Sequence, residues 1–232
     1  RCGTCDAFPC RIGAKGDAET RLIDPALKHR NVALQTGSRV TRLIADERGK
    51  RIVAVEYERA GQLQRVHARL FVLSAGAINS AAILLRSAGP GNPNGLANAS
   101  DVVGRYFMNH NCTAIMALMP WRTNPTRYPK TLTLNDYYFG GDASGKPLGN
   151  LQLLGKIQEP MLRGALPRTP KWARAGLARH SVDWYVMSED LAQAQSTVRL
   201  RSDGAIALDW RRSNLGAHRC WVETAKRLLK DI

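Results

Sequence analysis

Residues 68–89, ARLFVLSAGAINSAAILLRSAG, decide how the rest of the chain is read. Leu70-Phe71-Val72-Leu73 is a short apolar run without polar alternation, the pattern of a strand covered on both faces in a parallel sheet. It ends in Ser74-Ala75-Gly76-Ala77, residues with almost no side chain. From Asn79 onward Ala81, Ala82, Ile83, Leu84 and Leu85 are helix formers, and Gly89-Pro90 stops the element. Asn79 or Ser80 is placed to cap that helix. A strand, a small-residue turn and a helix aim free backbone N–H groups at an anion or polar ligand, and Gly76 lets such a ligand approach the backbone closely. An ordinary strand-to-helix turn, in which glycine relieves crowding, explains the same residues without a ligand.

Upstream, Asp17 to His29 has helical spacing, with Leu22, Ile23, Ala26 and Leu27 on one side and Pro25 near a start or break. Asn31–Thr36 (NVALQT), Ser38–Asp46 (SRVTRLIAD) and Arg51–Arg59 (RIVAVEYER) read as strands. Glu47-Arg48-Gly49-Lys50 and Ala60-Gly61 read as turns, and Gln64–Ala68 leads into the opening stretch. A small antiparallel meander therefore feeds the buried strand. Downstream, GPGNPNGLANASDVV (89–103) is loop; its glycines follow a helix rather than a strand and fail the test of a dinucleotide fingerprint. From Asn111 short apolar runs separated by loops, NCTAIMALM, NDYYF, LGNLQLLGKIQ, SVDWYVM, STVRLRS and AIALDWR, predict a mostly antiparallel second region. The fold class expected is α/β with mixed α+β character, divided as 1–108 and 109–232.

The net charge of +15 is unusual for a chain with an ordinary 44% hydrophobic content. Its densest part is Arg163–Arg179, RGALPRTPKWARAGLAR. A basic stretch carrying a tryptophan can meet nucleic acid or an anionic membrane, and more commonly is a solvated helix face or loop. The absence of clustered base-stacking aromatics disfavours nucleic acid. No stretch approaches ~18 uninterrupted apolar residues, so no membrane span is expected. The sequence starts at Arg1 with Cys2 already inside a motif and stops within an amphipathic pattern, WVETAKRLLKDI. It reads as an internal segment of a longer protein, with targeting signals expected outside it.

Four stretches carry a family resemblance. GAINSAAILLRSAG (76–89) is similar to the second signature of the glucose–methanol–choline (GMC) oxidoreductases, with Ser80-Ala81 in place of the usual Ser/Thr-Pro. VGRYFMNH (103–110) is similar to their step into the substrate domain, with Asn109 where Asp is commoner. Gly13-Ala14-Lys15 before a helix and a strand holding Val40, and SEDLAQAQSTV (188–198), complete the order. The resemblance implies the second half of an FAD-binding Rossmann-like domain with its β-meander, then a substrate-binding domain. It implies oxidation of the CH–OH group of an alcohol or sugar by hydride transfer to flavin. FAD would lie against Ala75, Gly76 and Ala77, Val40 would offer its backbone to the adenine, and Asn109 and His110 would sit near the flavin. An electron-acceptor protein or quinone is an implied partner. The family's phosphate loop and catalytic histidine have no match in this chain, so no catalytic residue is assigned within it, and this segment alone is expected to be inactive and to bind FAD weakly. His29 and His67 read as surface residues, and His180 and His218 lie in no motif.

Cys2, Cys5 and Cys10 form C-x2-C-x4-C, a spacing that can ligate a metal or cluster. Before Gly13-Ala14 it resembles the iron–sulfur site of some GMC-type dehydrogenases; reduced structural thiols, or a Cys2–Cys5 disulfide, explain it equally simply. Cys112 and Cys220 are isolated and read as buried core thiols. Two rivals stand beside the flavoenzyme: a basic nucleic-acid-binding module with a Cys-ligated metal, and a non-catalytic scaffold that kept the flavin fold.

Overall fold

The computed structural model describes residues 9–126, 130–140 and 145–230. They form a mixed α/β protein with antiparallel sheets, and the chain divides into two units. One comprises residues 17–108 and 191–211. The other comprises residues 1–16, 109–190 and 212–232.

The first unit opens with a wide π-type turn, Glu19–Ile23, that runs into the short helix α1 (Asp24–Ala26) with Pro25 in its first turn. There the missing proline N–H costs nothing. Strands β1 (Ser38–Ala45), β2 (Ile52–Arg59) and β3 (Gln62–His67) then form an antiparallel sheet in that order. Ala60 and Gly61 both take positive φ, 50° and 75°, the two-residue turn whose twist matches flanking strands. The meander is therefore present, with the two strands read at 38–46 and 51–59 joined by β3 rather than by Asn31–Thr36. Its inner anchor is Glu56, 5% exposed, whose carboxylate is gripped by Arg42 and Arg65 at 3.1 and 3.0 Å. Burial pushes this carboxyl up, yet the two guanidinium groups outweigh it and hold it below the usual glutamate range.

Helix α2 (Gly76–Arg86) packs Ile83 with Leu43 of β1 and Leu96 of the following loop; Leu73 and Ala75 lean on the same cluster. Its C-terminal end is locked by Ser87, whose hydroxyl donates to the Ile83 carbonyl. The glycine of VGRYFMNH has a packing reason. Gly104, at φ 81°, accepts the Val198 N–H at 2.6 Å, and a Cβ there would lie 2.2 Å from the Val198 carbonyl oxygen. The motif thereby docks β8 (Thr197–Leu200) and its hairpin partner β9 (Ile206–Asp209). Phe107 adds an N–H bond to the Ser196 carbonyl and an edge-on contact with Trp210.

Four expectations change. Leu70–Leu73 forms no strand and pairs with none among the described residues; Leu70 and Val72 are 79% and 80% exposed, so it is not covered on both faces. Asn31–Thr36 is likewise unpaired and exposed, its valine and leucine reading as strand only by composition. Helix α2 begins at Gly76, three residues before Asn79, so neither Asn79 nor Ser80 is its N-cap. NDYYF is a turn: Asn135 accepts the Tyr138 N–H, and Tyr137 leaves the turn to pack on Trp221.

The second unit is built on an antiparallel sheet ordered β4 (Asn111–Leu118), β7 (Ser181–Ser188), β6 (Asn150–Leu153) and β5 (Thr133–Leu134). Helix α5 (Leu215–Leu228) covers one face, with Trp221 wholly buried among Leu148, Leu151, Val186 and Ala225. The Trp221 indole N–H still donates to the Asn150 carbonyl at 3.2 Å. The basic stretch folds into α3 (Glu159–Ala165) and α4 (Lys171–His180). Leu162 and Ala178 close against Ile157 and Met116, while Arg174 turns inward to bond Glu159 and Lys171, Trp172 and Arg179 stay exposed. That is the solvated helix face expected of a dispersed basic run. No helix among the described residues is long and apolar enough to cross a membrane.

Candidate functional site

The first candidate is the turn that opens α2. Ala75 stands at the N-cap with no side-chain cap bond, and the first turn holds no acidic residue. Its first amides are thus left to water or a ligand. Gly76 takes φ 77°, and a Cβ built on it meets nothing within 4 Å, so the glycine is needed for its backbone conformation and stands against open space. The Ala75 N–H is held by the Ser80 hydroxyl at 3.2 Å, which fixes the turn from inside the helix. Val40, 36% exposed, lies in the same unit on β1, opposite Tyr57 and next to a register shift that leaves Thr41 unpaired in the ladder. A 160 Å³ cavity occurs at the other end of α2, between Arg42–Asp46 and Ser87–Asn92, and includes none of these residues.

Asn109 and His110 lie in the other unit, just ahead of β4. His110 is exposed, and its ring has no hydrogen bond among the described residues. The sheet it enters has two unlike faces. Thr113, Ile115, Trp184, Val186, Leu151 and Leu153 face α5. Their alternates Cys112, Ala114, Tyr185, Met187, Asn150 and Gln152 face the opposite way, as the register pairs Cys112 with Met187, Ala114 with Tyr185, and Gln152 with Tyr185. None of the six is buried and none carries a charge. Hydrogen bonds lace them: Gln152 Nε2 reaches the Met187 sulfur at 3.1 Å, and Asn150 reaches Thr133 at 2.6 Å. A hydrogen bond with Cys112, and then burial, push the Tyr185 phenol above its usual pKa. Such a face is too polar to be core and too uncharged to be ordinary surface.

The histidines without motifs separate. His29 and His67 are exposed, as expected. His180 Nδ1 lies 3.2 and 3.0 Å from the carbonyls of Met119 and Arg122; both accept only, so Nδ1 carries the proton. His218 was illegible from sequence. It is 5% exposed, with Nε2 on Thr113 Oγ1 and Nδ1 on Ser188 Oγ, both at 2.8 Å. Burial, then the Arg212 charge, lower its pKa, so it is a neutral brace between β4 and β7.

Of the three clustered cysteines, Cys2 and Cys5 lie outside the described residues. Cys10 is half-buried; its sulfur takes the Ala14 N–H at 3.2 Å, and the amides of Ile12, Lys15 and Ala14 lower its pKa. No three His, Cys, Asp or Glu side chains converge as a metal site among the described residues. Cys220 is exposed and Cys112 only half-buried, so neither is the core thiol expected.

Residues 1–112 match the family model of the GMC oxidoreductases. The chain is 43% identical over 150 residues to 6'''-hydroxyparomomycin C oxidase of Streptomyces lividus, covering 61% of this chain and 27% of that protein. It is 34% identical over 148 residues to paromamine 6'-oxidase of Streptomyces fradiae, covering 60% and 27%. The large subunit of fructose dehydrogenase from Gluconobacter japonicus is 33% identical over 112 residues, 47% of this chain and 20% of that one. The chain thus spans about a quarter of the length of the first two. Gly76 before α2, Gly104 and the meander strands all fall inside the residues that match the GMC oxidoreductase family model.

Proposed function

We propose that this chain is a segment of an FAD-dependent oxidoreductase that oxidises the CH–OH group of an alcohol or sugar. Residues 1–108 would belong to its Rossmann-like flavin domain and 109–232 to its substrate domain. The observation that carries this reading is the Ala75-Gly76-Ala77 turn, an uncapped helix start with open space at a left-handed glycine, inside the matched segment. Main-chain donors approached without a Cβ suit a polar, anionic cofactor. Val40 would add main-chain contacts. When bound, the flavin supplies the oxidant, which the protein orients and shields.

On the substrate side, the uncharged face of Cys112, Tyr185, Met187, Asn150 and Gln152 suits a neutral, polyhydroxylated molecule, read by amide and hydroxyl groups. The relatives named for paromamine, a paromomycin derivative and fructose support a sugar-like substrate. Asn109 and His110 would stand at the reacting end of this face. The hydroxyl proton is assigned to a histidine beyond these 232 residues. The electron acceptor is oxygen, a quinone or an acceptor protein, consistent with relatives named both as oxidases and as a dehydrogenase.

Cys2, Cys5 and Cys10 keep a place in this reading as ligands of an iron–sulfur cluster, because the amides around Cys10 favour a thiolate. Iron and acid-labile sulfide in the purified full-length protein support the ligation; their absence removes it. The flavin reading is tested by the absorbance spectrum of the full-length protein and of its Gly76→Val variant. Bound flavin in the first, and loss of most of it in a still folded second, is expected. A colourless full-length protein refutes the reading.

A further inference from the structure

The segment Asn109-His110-Asn111 is pinned by residues from two distant parts of the chain. Asp190, 4% exposed, accepts the Asn109 N–H through Oδ2 at 3.2 Å. Its Oδ1 accepts the Ser213 N–H at 2.9 Å and the Ser213 hydroxyl at 2.5 Å. Asn111 is wholly buried; its amide donates to the Ser213 carbonyl at 2.8 Å and the Glu189 carbonyl at 3.3 Å, and its oxygen accepts from Arg212 Nε at 3.2 Å. Asn109 Oδ1 takes the His110 N–H itself at 2.9 Å. The Asn109 and His110 amides and the Asn111 side chain are thus held, while the imidazole of His110 stays exposed without a ring hydrogen bond among the described residues.

His218, in the same unit, shows the opposite arrangement: a ring with both nitrogens satisfied and no access. A ligand-binding group needs a fixed backbone and an accessible side chain, and His110 has both where His218 has only the first. We infer that Asp190 is a positioning residue for His110, acting through the Asn109 amide on the substrate site proposed above, a reading on which this inference rests. The carboxylate is suited to the task because its two oxygens take three donors, and neither an amide nor a hydroxyl can do that. Asp190→Asn keeps one acceptor oxygen and turns an NH2 group toward one of those donors, which must then move. The displaced backbone carries His110 with it.

The test uses the full-length enzyme in four forms: wild type, Asp190→Asn, His110→Ala and the double variant. Asp190→Asn is expected to keep its flavin and a KM within about 2-fold of wild type while kcat falls about 10- to 100-fold, the scale of an ångström-level misplacement. In the His110→Ala background the same substitution is expected to cost nothing more, because Asp190 acts only through that ring. Additive losses, or a wild-type kcat in Asp190→Asn, overturn the positioning role. Should Asp190→Asn fail to fold, Ser213→Ala removes one of the three donors and is expected to give a smaller kcat loss that also vanishes in His110→Ala; an undiminished loss there overturns the role. A full-length protein whose flavin no hydroxylated compound reduces overturns the underlying reading as well, whereas substrate-reducible flavin with additive losses overturns the positioning alone.

Discussion

The Ser87 hydroxyl accepts the Leu43 N–H at 2.8 Å and donates to the Ile83 carbonyl at 2.6 Å, joining the edge strand of the meander to the end of α2. Ser87 is 6% exposed. Ser87→Ala leaves a buried amide unpaired and is expected to destabilise the protein by about 1–3 kcal/mol. Denaturant unfolding measures this; a change under a few tenths of a kcal/mol would show that the bond carries no net stability.

Gly76 separates folding from cofactor binding. Gly76→Ala forces an L-residue to φ 77° but meets no neighbour. The expected folding cost is about 1–2 kcal/mol from conformation alone. If FAD lies against this turn, flavin retention falls much further than stability does. Thermal unfolding of the apoprotein beside flavin titration distinguishes the two; equal, small effects on both would remove the turn from the cofactor site.

His218 predicts a pH dependence. Its folded pKa lies below the ordinary 6.5 because burial, and then Arg212, disfavour the charged ring. The unfolded chain therefore binds the proton more readily, and stability rises with pH between the folded value and about 6.5. Stability should be full above about pH 6.5 and fall below it, by at most about 1.4 kcal/mol per pH unit, until the folded pKa is passed. His218→Gln should flatten this segment of the stability curve. An unchanged slope would show that another group titrates there.

Lys156 and Asp183 form a buried pair at 3.6 Å, with Lys156 also bonded to the Ser181 carbonyl and hydroxyl at 2.7 and 3.1 Å. Burial lowers the lysine pKa, and Asp183 opposes that shift. Asp183 Oδ2 holds the Ile157 N–H at 2.8 Å, and Oδ1 is buried without a hydrogen-bond partner among the described residues. Lys156→Met is expected to cost about 3–5 kcal/mol, because it strands the carboxylate, whereas replacing both partners with apolar residues is expected to cost far less. Unfolding of the single and double variants checks this; equal losses would contradict it.

Local signals carried much of the fold. Alternation and turn residues placed β1 and β2 nearly to the residue, because a half-exposed hairpin writes its register into its own sequence, whereas β3 was read only as a lead into residues 70–73. Residues 70–73 failed for the complementary reason: an apolar run shows what a strand wants to bury, not whether a neighbour is there. The start of α2 was misplaced because Ala75 and Gly76 carry no capping side chain, and the Ser80 hydroxyl holds the Ala75 N–H instead of capping the first turn. His218 was unreadable because Thr113 lies 105 residues away from it, as Asp190 lies 81 from Asn109. The glycine turn was legible because small residues followed an apolar run, and VGRYFMNH through its family resemblance; the close approach of Val198 to Gly104 was not visible in the sequence.

The most direct measurement is anaerobic addition of sugars and simple alcohols to the purified full-length protein while its visible absorbance is recorded. Bound FAD is expected, its oxidised band bleached by at least one neutral polyhydroxylated compound, and much more slowly in His110→Ala. A protein without flavin, or with flavin that none of these compounds bleaches, would contradict it.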